Sequence, residues 1–350
     1  MGHILERLIR GETPTLIEMT HFLSEIDDEK RQEIYAASTE IRRRHFGNRV
    51  LFRGLIEFTS YCRNDCHYCG IRRGNTLAER YRLSKDQILE CCYTGHELGF
   101  RSFVLQGGED PWFTDERICD IISAIHRLFP DSALTISFGE QTEESYRRYF
   151  EAGADRYLLR HETADPLHYA LLHPRELSLE NRMRCLQELK GIGYQVGAGF
   201  MVGSPGQTLT TLAKDLLFLK TFQPHMIGIG PFIPHSETIF ANKPAGSVQQ
   251  TLDMIALTRI MVPRALLPAT TALGSIDPTG REKALAIGAN VIMPNLSPSD
   301  VRKMYAIYND KLSTGKEAAE SLENNKRLLI AAGFEPDMSR GDWGEAENAL

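Results

Sequence analysis

Three cysteines within eight residues are the clearest chemical signal in this sequence of 350 residues. Cys62, Cys66 and Cys69 follow the apolar run 50–58, which predicts a buried strand that leads into a loop. Thiolates on one turn can bind a single inorganic group, either zinc or an iron–sulfur cluster. Three thiolates are one ligand short of the four that either group normally takes. The spacing therefore predicts a metal centre with one open coordination position.

Structural zinc is the main alternative for this loop. His67 or Cys91 would have to supply the fourth ligand, but His67 lies between two of the cysteines in a tight turn. Zinc modules usually pair two C-x2-C knuckles, and the sequence has no second knuckle. A bacterial ferredoxin run would need a fourth cysteine followed by proline, which is also absent.

Composition and charge exclude several classes of function. The net charge is −6 and the isoelectric point is near 6.0, which argues against nonspecific nucleic-acid or anionic-membrane binding. No apolar run reaches the length of a transmembrane helix, and the charged N-terminus does not resemble a signal peptide. An odd number of cysteines indicates a reducing compartment, so we expect a cytoplasmic protein. The other four cysteines fall in predicted helices, where they read as small buried hydrophobic residues: Cys91, Cys92, Cys119 and Cys185.

Short apolar runs alternate with amphipathic segments from residue 50 onwards. The runs that predict strands are 50–58, 102–106, 134–138, 156–160, 194–199, 226–229, 267–271 and 290–293. Eight β/α units of about 25–35 residues predict an α/β fold, a complete (β/α)8 TIM-type barrel at 50–296. We expect a helical N-terminal extension at 1–49 and a short helical C-terminal tail at 297–350, packed on the barrel. A doubly wound open sheet is the alternative, but no G-x-G-x-x-G follows the first strand.

A barrel makes a demand on the sequence, since functional groups gather at the carboxyl ends of its strands. The cysteines follow the first predicted strand, and Gly107-Gly108-Glu109 follow the second. Arg160-His161-Glu162 end the fourth strand. Each item alone has an ordinary explanation, such as a turn or a self-satisfied ion pair. Together they predict one functional mouth.

The cysteine motif C-x3-C-x2-C, with an aromatic residue before its last cysteine, is the signature of radical S-adenosylmethionine (SAM) enzymes. The core resembles the branch of that superfamily that contains biotin synthase and methylornithine synthase. Within it, the chain is most similar to the HydE-type maturases of iron–iron hydrogenase. The resemblance rests on the segments 61–70, 104–111, 153–163, 197–203, 228–235, 268–272 and 288–295.

The resemblance implies a 4Fe–4S cluster held by Cys62, Cys66 and Cys69, with the fourth iron open to SAM. It also implies positions that bind SAM. Gly107, Gly108 and Glu109 match the segment that holds the amino group of SAM. Positions around the carboxylate, ribose, sulfonium and adenine are matched by Ser137, Arg160, Glu162, Arg182, Met201 and Tyr68. Reductive cleavage of SAM would then give a 5′-deoxyadenosyl radical.

The resemblance further implies a substrate deep in the barrel, namely an iron complex of cysteine, carbon monoxide and cyanide. The positions that match this cavity are Thr135, Arg156, Thr270, Thr271, Met293 and Asn295. Arg156 is the expected anion partner, because a guanidinium stays charged when buried. The implied partners are a ferredoxin or flavodoxin-type electron donor and other hydrogenase maturases, with no nucleic acid and no membrane.

Two other functions stay open at this stage. A radical SAM mutase or synthase acting on an amino acid would share the whole cluster and SAM machinery. Its lysine-like substrate would need acidic partners, which the cavity candidates lack. The third hypothesis is a zinc-stabilised barrel without enzymatic activity. Some relatives hold a second cluster with cysteines near the C-terminus, but no cysteine follows Cys185 here, so we predict a single cluster.

Overall fold

The computed structural model of the protein describes residues 2–312 and 318–344. Its strands, within those ranges, are β1 (Arg49–Phe52), β2 (Gly54–Thr59), β3 (Ser102–Gly107), β4 (Ala133–Ser137), β5 (Arg156–Leu158), β6 (Gln195–Val202), β7 (Met226–Pro231), β8 (Val291–Ile292) and β9 (Glu335–Asp337). Strands β2 to β7 form one parallel sheet in sequence order, and β8, β1 and β9 form a second. Parallel neighbours need a crossover connection, and helices supply it after most strands.

Isolated parallel bridges close the two sheets into a barrel. Leu55 pairs with Asn295, which joins the end of β8 to β2. On the other side, Met226 of β7 pairs with Leu266, and Pro268 pairs with Val291 of β8. The sheet therefore returns to its first strand, and the TIM-type α/β barrel expected from the sequence is confirmed.

Two strands differ from the sequence-based prediction. The predicted strand at 267–271 is present only as the isolated bridges, because Pro268 cannot donate to a ladder and Thr271 already begins a helix. The predicted strand at 50–58 is broken at Arg53 into β1 and β2, which belong to different sheets. Arg53, at this break, points its guanidinium at the sulfur of Met226 on β7.

The helices of the described residues are α1 (Gly2–Ile9), α2 (Leu16–Ser24), α3 (Asp28–Phe46), α4 (Lys85–Glu97), α5 (Asp115–Leu128), α6 (Glu143–Glu151), α7 (Pro166–Leu172), α8 (Leu179–Ile192), α9 (Leu209–Phe222), α10 (Val248–Met261), α11 (Thr271–Ile276), α12 (Gly280–Ile287) and α13 (Ala318–Ala331). The capping box predicted at Ser84 is present at the start of α4. Within the described ranges, we find no helix both long enough and apolar enough to span a membrane.

The extension at 1–49 folds as α1, α2 and α3, so its helical character is confirmed. Helix α3 packs on α10, whose residues from Thr251 to Met261 are all buried. The carboxylate of Asp253 on α10 accepts hydrogen bonds from Arg31 and Tyr35 on α3. The domain boundaries at 49/50 and 296/297 stay a prediction. Residues 315–317 of the predicted C-terminal helix, and 345–350 of the tail, lie outside the described residues.

The C-terminal tail closes the barrel at the amino ends of its strands. Strand β9 adds parallel to β1, and the chain then turns so that Asp342 reaches the start of β5. There the fully buried Arg156 donates from Nη2 to Asp342 Oδ1 at 2.6 Å and from Nη1 to Ser102 Oγ at 2.9 Å. Gln195, at the start of β6, donates to the same Oδ1 at 2.9 Å. Asp342 thus balances a buried cation in the floor of the barrel.

We expect Asp342→Asn to lower the free energy of unfolding by about 3 kcal/mol, because the buried Arg156 would lose its carboxylate partner. Asp337→Asn is a matched control on the same tail. Its ion pair with Arg49 is longer, at 3.6 Å, and partly exposed, so the expected loss is below about 1 kcal/mol. Chemical denaturation measures both, and equal losses would contradict this role of Asp342.

The same pair predicts a pH dependence. Burial alone would raise the pKa of Asp342, but Arg156 and Arg340 lower that pKa to about 2. A folded-state pKa below that of a free aspartate stabilises the protein above about pH 4, and the gain is lost as the pH falls towards 2. The stability difference between the wild type and Asp342→Asn should therefore narrow below pH 4. A difference that stays constant down to pH 3 would be the contrary result.

Candidate active site

The carboxyl ends of the strands surround a cavity of about 290 Å³ at the mouth of the barrel. It is lined by all the residues that the sequence assigned to the cluster or to SAM: Cys62, Cys66, Cys69, Tyr68, Gly107, Gly108, Glu109, Ser137, Arg160, Glu162, Arg182 and Met201. These residues come from the loops or ends of five strands, β2 to β6, and from α8. The fold therefore brings the whole predicted set to one place.

The cysteine loop is tied to three other parts of the mouth. The backbone N–H of Arg63 donates to the carbonyl of Glu109 at 2.8 Å, after β3. The N–H of His67 donates to Leu172 at 3.0 Å, and that of Gly70 donates to Ile307 at 2.9 Å. The three thiols are free and half-buried. The loop is thus held in place by backbone contacts before any metal binds.

Gly108 lets the cysteine loop approach the end of β3 closely. A Cβ atom at this position would lie 2.2 Å from the carbonyl oxygen of Tyr61 and 2.7 Å from Cβ of Cys62. Both distances are far inside van der Waals contact, so only glycine fits without moving the loop. This glycine therefore fixes the position of the first thiol against the wall of the cavity.

Arg80 stabilises the same loop through hydrogen bonds to its backbone. Its guanidinium donates to four backbone carbonyls, those of Ser60, Ile71, Arg72 and Asn75, at 2.5 to 3.1 Å. Its charge also favours the thiolate forms of Cys62 and Cys69. The sequence analysis did not identify Arg80, because its partners are backbone atoms that no residue pattern reveals.

The cysteine thiols are protonated in the absence of a metal, because their pKa values are raised. Burial, together with the neighbouring thiols, raises the pKa of Cys66 well above its usual value, and burial raises that of Cys69 to about 12. A buried thiolate without a positive partner is unfavourable, so these groups keep their protons until iron replaces them. Three such sulfurs on one wall, with room beside them in the cavity, fit a cluster that takes three protein ligands.

The far wall of the cavity carries charged groups with spare hydrogen-bonding capacity. Arg160 Nη2 lies 3.0 Å from Glu162 Oε2, yet neither atom makes a well-aligned hydrogen bond, and Arg160 Nε has no partner in the described structure. Glu162 adopts a φ of 64°, a left-handed conformation that is rare outside glycine and common at functional sites. Arg182 lies next to this pair. It donates hydrogen bonds to the carbonyl of Arg160 and to the carboxylate of Glu140. These buried polar atoms favour a polar ligand.

An apolar surface lies beside the cysteine loop, and Tyr68 of that loop belongs to it. Tyr68 packs against Leu172, Met201, Phe232 and Phe240, and its hydroxyl lies 3.4 Å from His173 Nε2. A flat heteroaromatic group fits a surface of this kind. The cavity thus offers thiols, charged groups and an aromatic surface within reach of one ligand.

Comparison with known proteins decides the family. Residues 56–219 match the model described as the Radical SAM superfamily. The chain is 44% identical to the FeFe hydrogenase maturase subunit HydE of Thermotoga maritima. The alignment spans 341 residues, which are 97% of this chain and 96% of that protein. The chain belongs to the HydE family of radical SAM enzymes.

More distant relatives share the same fold over most of this chain. The 3-methylornithine synthase of Methanosarcina acetivorans is 29% identical over 95% of this chain and 93% of its own length. The crystal structure of methylornithine synthase superposes with a TM-score of 0.84 over 99% of both chains, at 26% identity. The maturase HydG from Carboxydothermus hydrogenoformans has the same fold, with a TM-score of 0.79 at 21% identity, over 96% of this chain and 79% of that one. Family membership implies a 4Fe–4S cluster and SAM.

Of the six residues that the resemblance assigned to substrate, the structure brings Thr270 alone to the lining of this cavity. Its Oγ1 has no hydrogen-bond partner among the described residues. Thr271 begins α11, Met293 packs against Leu51 and Met226, and Asn295 donates to Glu57 Oε2 at 2.9 Å. These three positions are occupied by contacts within the protein and do not line the cavity.

Thr135 and Arg156 lie deeper in the barrel. Arg156 does not line the cavity as expected, because its Nη atoms bind Asp342 and Ser102 in the floor. Its Nε and the hydroxyl of Thr135 nevertheless have no hydrogen-bond partner in the described structure. Beside them, Arg53 has two partnerless nitrogens, Nε and Nη2, and its Nη1 contacts only the sulfur of Met226, at 2.8 Å. The floor therefore holds two buried guanidinium groups with free donors.

Sequence reasoning missed Arg53, and it also missed the cover of the cavity. Tyr305, Ile307 and Tyr308 line it from the segment after β8, which the sequence analysis had assigned to the tail. Lys311 fixes this segment by donating to the carbonyl of Tyr305 at 3.1 Å and pairing with the buried Glu57. The signal was available, since a barrel places functional groups after every strand, including the eighth.

We expect Arg80→Met to weaken cluster loading, because four carbonyls of the cysteine loop would lose a charged donor worth about 2 kcal/mol or more in total. Iron and sulfide content after anaerobic reconstitution measures the effect. Arg80→Lys keeps the charge but loses the planar set of donors, so its iron and sulfide content should lie between those of the wild type and Arg80→Met. Arg73→Met, an exposed position on the same loop, is the control that should load normally. Full loading of Arg80→Met would show that Arg80 does not hold the loop.

Proposed function

We propose that this protein cleaves SAM reductively and uses the radical in assembling the di-iron centre of an iron–iron hydrogenase. The supporting observation is one cavity with three free thiols on its wall, together with two buried arginines, Arg53 and Arg156, that lie deeper in the barrel. When bound, a 4Fe–4S cluster with one open iron supplies the electron that releases a 5′-deoxyadenosyl radical from SAM. The protein supplies alignment and exclusion of water.

Each wall of the cavity has a role in this proposal. Cys62, Cys66 and Cys69 would each ligate one iron. Gly107, Gly108 and Glu109 would hold the amino group of SAM beside them. Tyr68 and Met201 would face the adenine and the sulfonium, and the carboxylate and ribose hydroxyls would meet Ser137, Arg160, Glu162 and Arg182. The unsatisfied atoms of Arg160 and Glu162 support this assignment, since buried polar groups need partners.

The floor supports an anionic substrate. Arg53 and Arg156 are both buried, and each has at least one N–H group without a partner in the described structure. Asp342 pairs with Arg156 and Arg340, whereas Arg53 has no ion-pair partner among the described residues, so the floor keeps an excess of guanidinium charge. Burial lowers the pKa of Arg53, because its charge is not compensated there. A carboxylate or cyanide group of an iron–cysteine complex would relieve that excess. A free lysine, with two ammonium groups, would be repelled, which disfavours a methylornithine synthase-like reaction.

The cover over the cavity completes the arrangement. Tyr305 and Tyr308 lie over the mouth on a segment that Lys311 ties to Glu57. A radical formed beneath them would be shielded from solvent, which prevents side reactions. An electron donor and the other maturases are proposed partners, and a cytoplasmic location stays a prediction.

We expect Cys66→Ala to abolish formation of 5′-deoxyadenosine while the barrel stays folded. The half-buried Cys66 lies in a loop outside the strands, and its loss leaves two ligands for the cluster. Cys119→Ala, a half-buried cysteine on α5, is the matched control and should keep full activity. Chromatography measures the 5′-deoxyadenosine that each variant forms with dithionite as the reductant. Undiminished cleavage by Cys66→Ala would overturn the ligand assignment.

Arg53→Met separates the two halves of the proposal. Removing this guanidinium should leave SAM cleavage intact but weaken substrate use at least tenfold, since a hydrogen bond to a charged group contributes about 1.5–3 kcal/mol. Hydrogenase activation in a strain lacking its own maturase measures substrate use. Arg49→Met, a half-buried arginine on β1 that pairs with Asp337, should activate normally. Normal activation by Arg53→Met would remove the cationic floor from the substrate site.

A further inference from the structure

A ladder of aromatic and arginine side chains lies on the surface beside Cys62. The guanidinium carbon of Arg82 is 3.8 Å from the ring centroid of Tyr61 and 5.7 Å from that of Trp112. The guanidinium carbon of Arg117 also lies over the ring of Trp112, 3.9 Å from its centroid. Tyr61 is 36% exposed and Trp112 is 42% exposed, so both rings are open to contact. Tryptophan, tyrosine and arginine are the residues that contribute most to protein interfaces.

The ladder is rigid before any partner arrives. The buried carboxylate of Asp110 accepts two hydrogen bonds from Arg82, at 2.6 and 2.9 Å, and one from the backbone N–H of Trp112 at 3.1 Å. The hydroxyl of Thr59 donates to the same carboxylate at 2.8 Å. Side chains that are already ordered lose little entropy on binding. Such a surface therefore has the features of a prepared docking face.

The surroundings of the ladder are positive although the whole chain is negative. Residues 60–85 contain six basic and two acidic side chains, whereas the net charge of the chain is −6. Arg73 is exposed on the cysteine loop, and Arg117 donates to the carbonyl of Trp112. The acidic residues next to Arg117, Asp115 and Glu116, pair instead with Arg148. Four of the six basic side chains in 60–85 pair with carboxylates: Arg63 with Glu109, Arg72 with Asp65, Arg82 with Asp110 and Lys85 with Asp120. Arg73 and Arg117, which have no carboxylate partner in the described structure, therefore present the positive charge to an approaching protein.

The face adjoins the site that must receive electrons. Tyr61 precedes Cys62 directly, and its carbonyl lies against Gly108 in the wall of the cavity. Cys62 is the only ligand position whose neighbouring side chain belongs to the ladder. Electron transfer becomes steeply slower with distance, so a carrier bound here would sit close to the first thiol.

We propose that Tyr61, Arg73, Arg82, Trp112 and Arg117 form the docking face for an acidic one-electron carrier protein. This inference rests on the proposed function. In each encounter the carrier is oxidised by one electron and the metal centre is reduced by one, and no bond of the carrier forms or breaks. Complexes of this class are small and short-lived, and complementary charge mainly accelerates their formation.

The test compares two reductants on the same variants. An acidic flavodoxin, reduced to its hydroquinone, or dithionite drives formation of 5′-deoxyadenosine by the reconstituted protein. Arg73→Glu combined with Arg117→Glu should raise the flavodoxin KM about tenfold at low salt, and Trp112→Ala should raise it at any salt. Both should keep the dithionite rate. Arg327→Glu, an exposed arginine on α13, is the control that should change neither rate.

The outcomes are distinguishable. Unchanged flavodoxin kinetics in both variants would overturn the docking face while leaving the proposed function intact. The same holds if dithionite supports cleavage by the wild type but neither an acidic flavodoxin nor an acidic ferredoxin does. Failure of dithionite itself to drive cleavage by the wild type would overturn the proposed function, and the docking face with it.

Discussion

The strands of the barrel all run in the same direction, and the organisation of the site depends on this constraint. The loops that follow parallel strands open at one end, so residues separated by more than a hundred positions meet at one mouth. The cysteine loop after β2 is therefore fixed by backbone contacts to segments after β3, near α7 and after β8. The amino ends of the strands lie at the opposite end of the barrel, and the C-terminal tail closes that end.

Charge divides the interior into two levels. At the mouth, Arg160 and Glu162 face each other with spare capacity, which suits a zwitterionic ligand such as SAM. In the floor, Arg156 pairs with Asp342, while the neighbouring Arg53 has no ion-pair partner among the described residues, which suits an anion. Burying unbalanced charge is costly, so a fold retains it only where a ligand supplies the balance. Under the proposed function, the upper level would bind the cofactor and the floor would bind the substrate within a single barrel.

The sequence predicted the mouth well and the floor poorly, for a physical reason. Cysteine spacing and strand-end residues are local signals, and the barrel turns local order into spatial proximity. Asp342 and Arg156 meet across 186 residues, and no local pattern indicates their pairing. Arg53 read as one residue of an apolar strand, whereas the break between β1 and β2 places its guanidinium among Met226 and Arg156. Tyr305 was assigned to a tail because the predicted barrel ended at residue 296, soon after the strand predicted at 290–293.

The central claim is that three thiols hold a cluster whose fourth iron binds SAM. Electron–nuclear double resonance on the reduced, reconstituted protein tests it directly, with SAM labelled at its amino nitrogen and carboxylate oxygen. The account predicts about four irons per chain and magnetic coupling of both labels to the cluster. A colourless protein with one zinc per chain, or a cluster that shows no coupling to bound SAM, would contradict it.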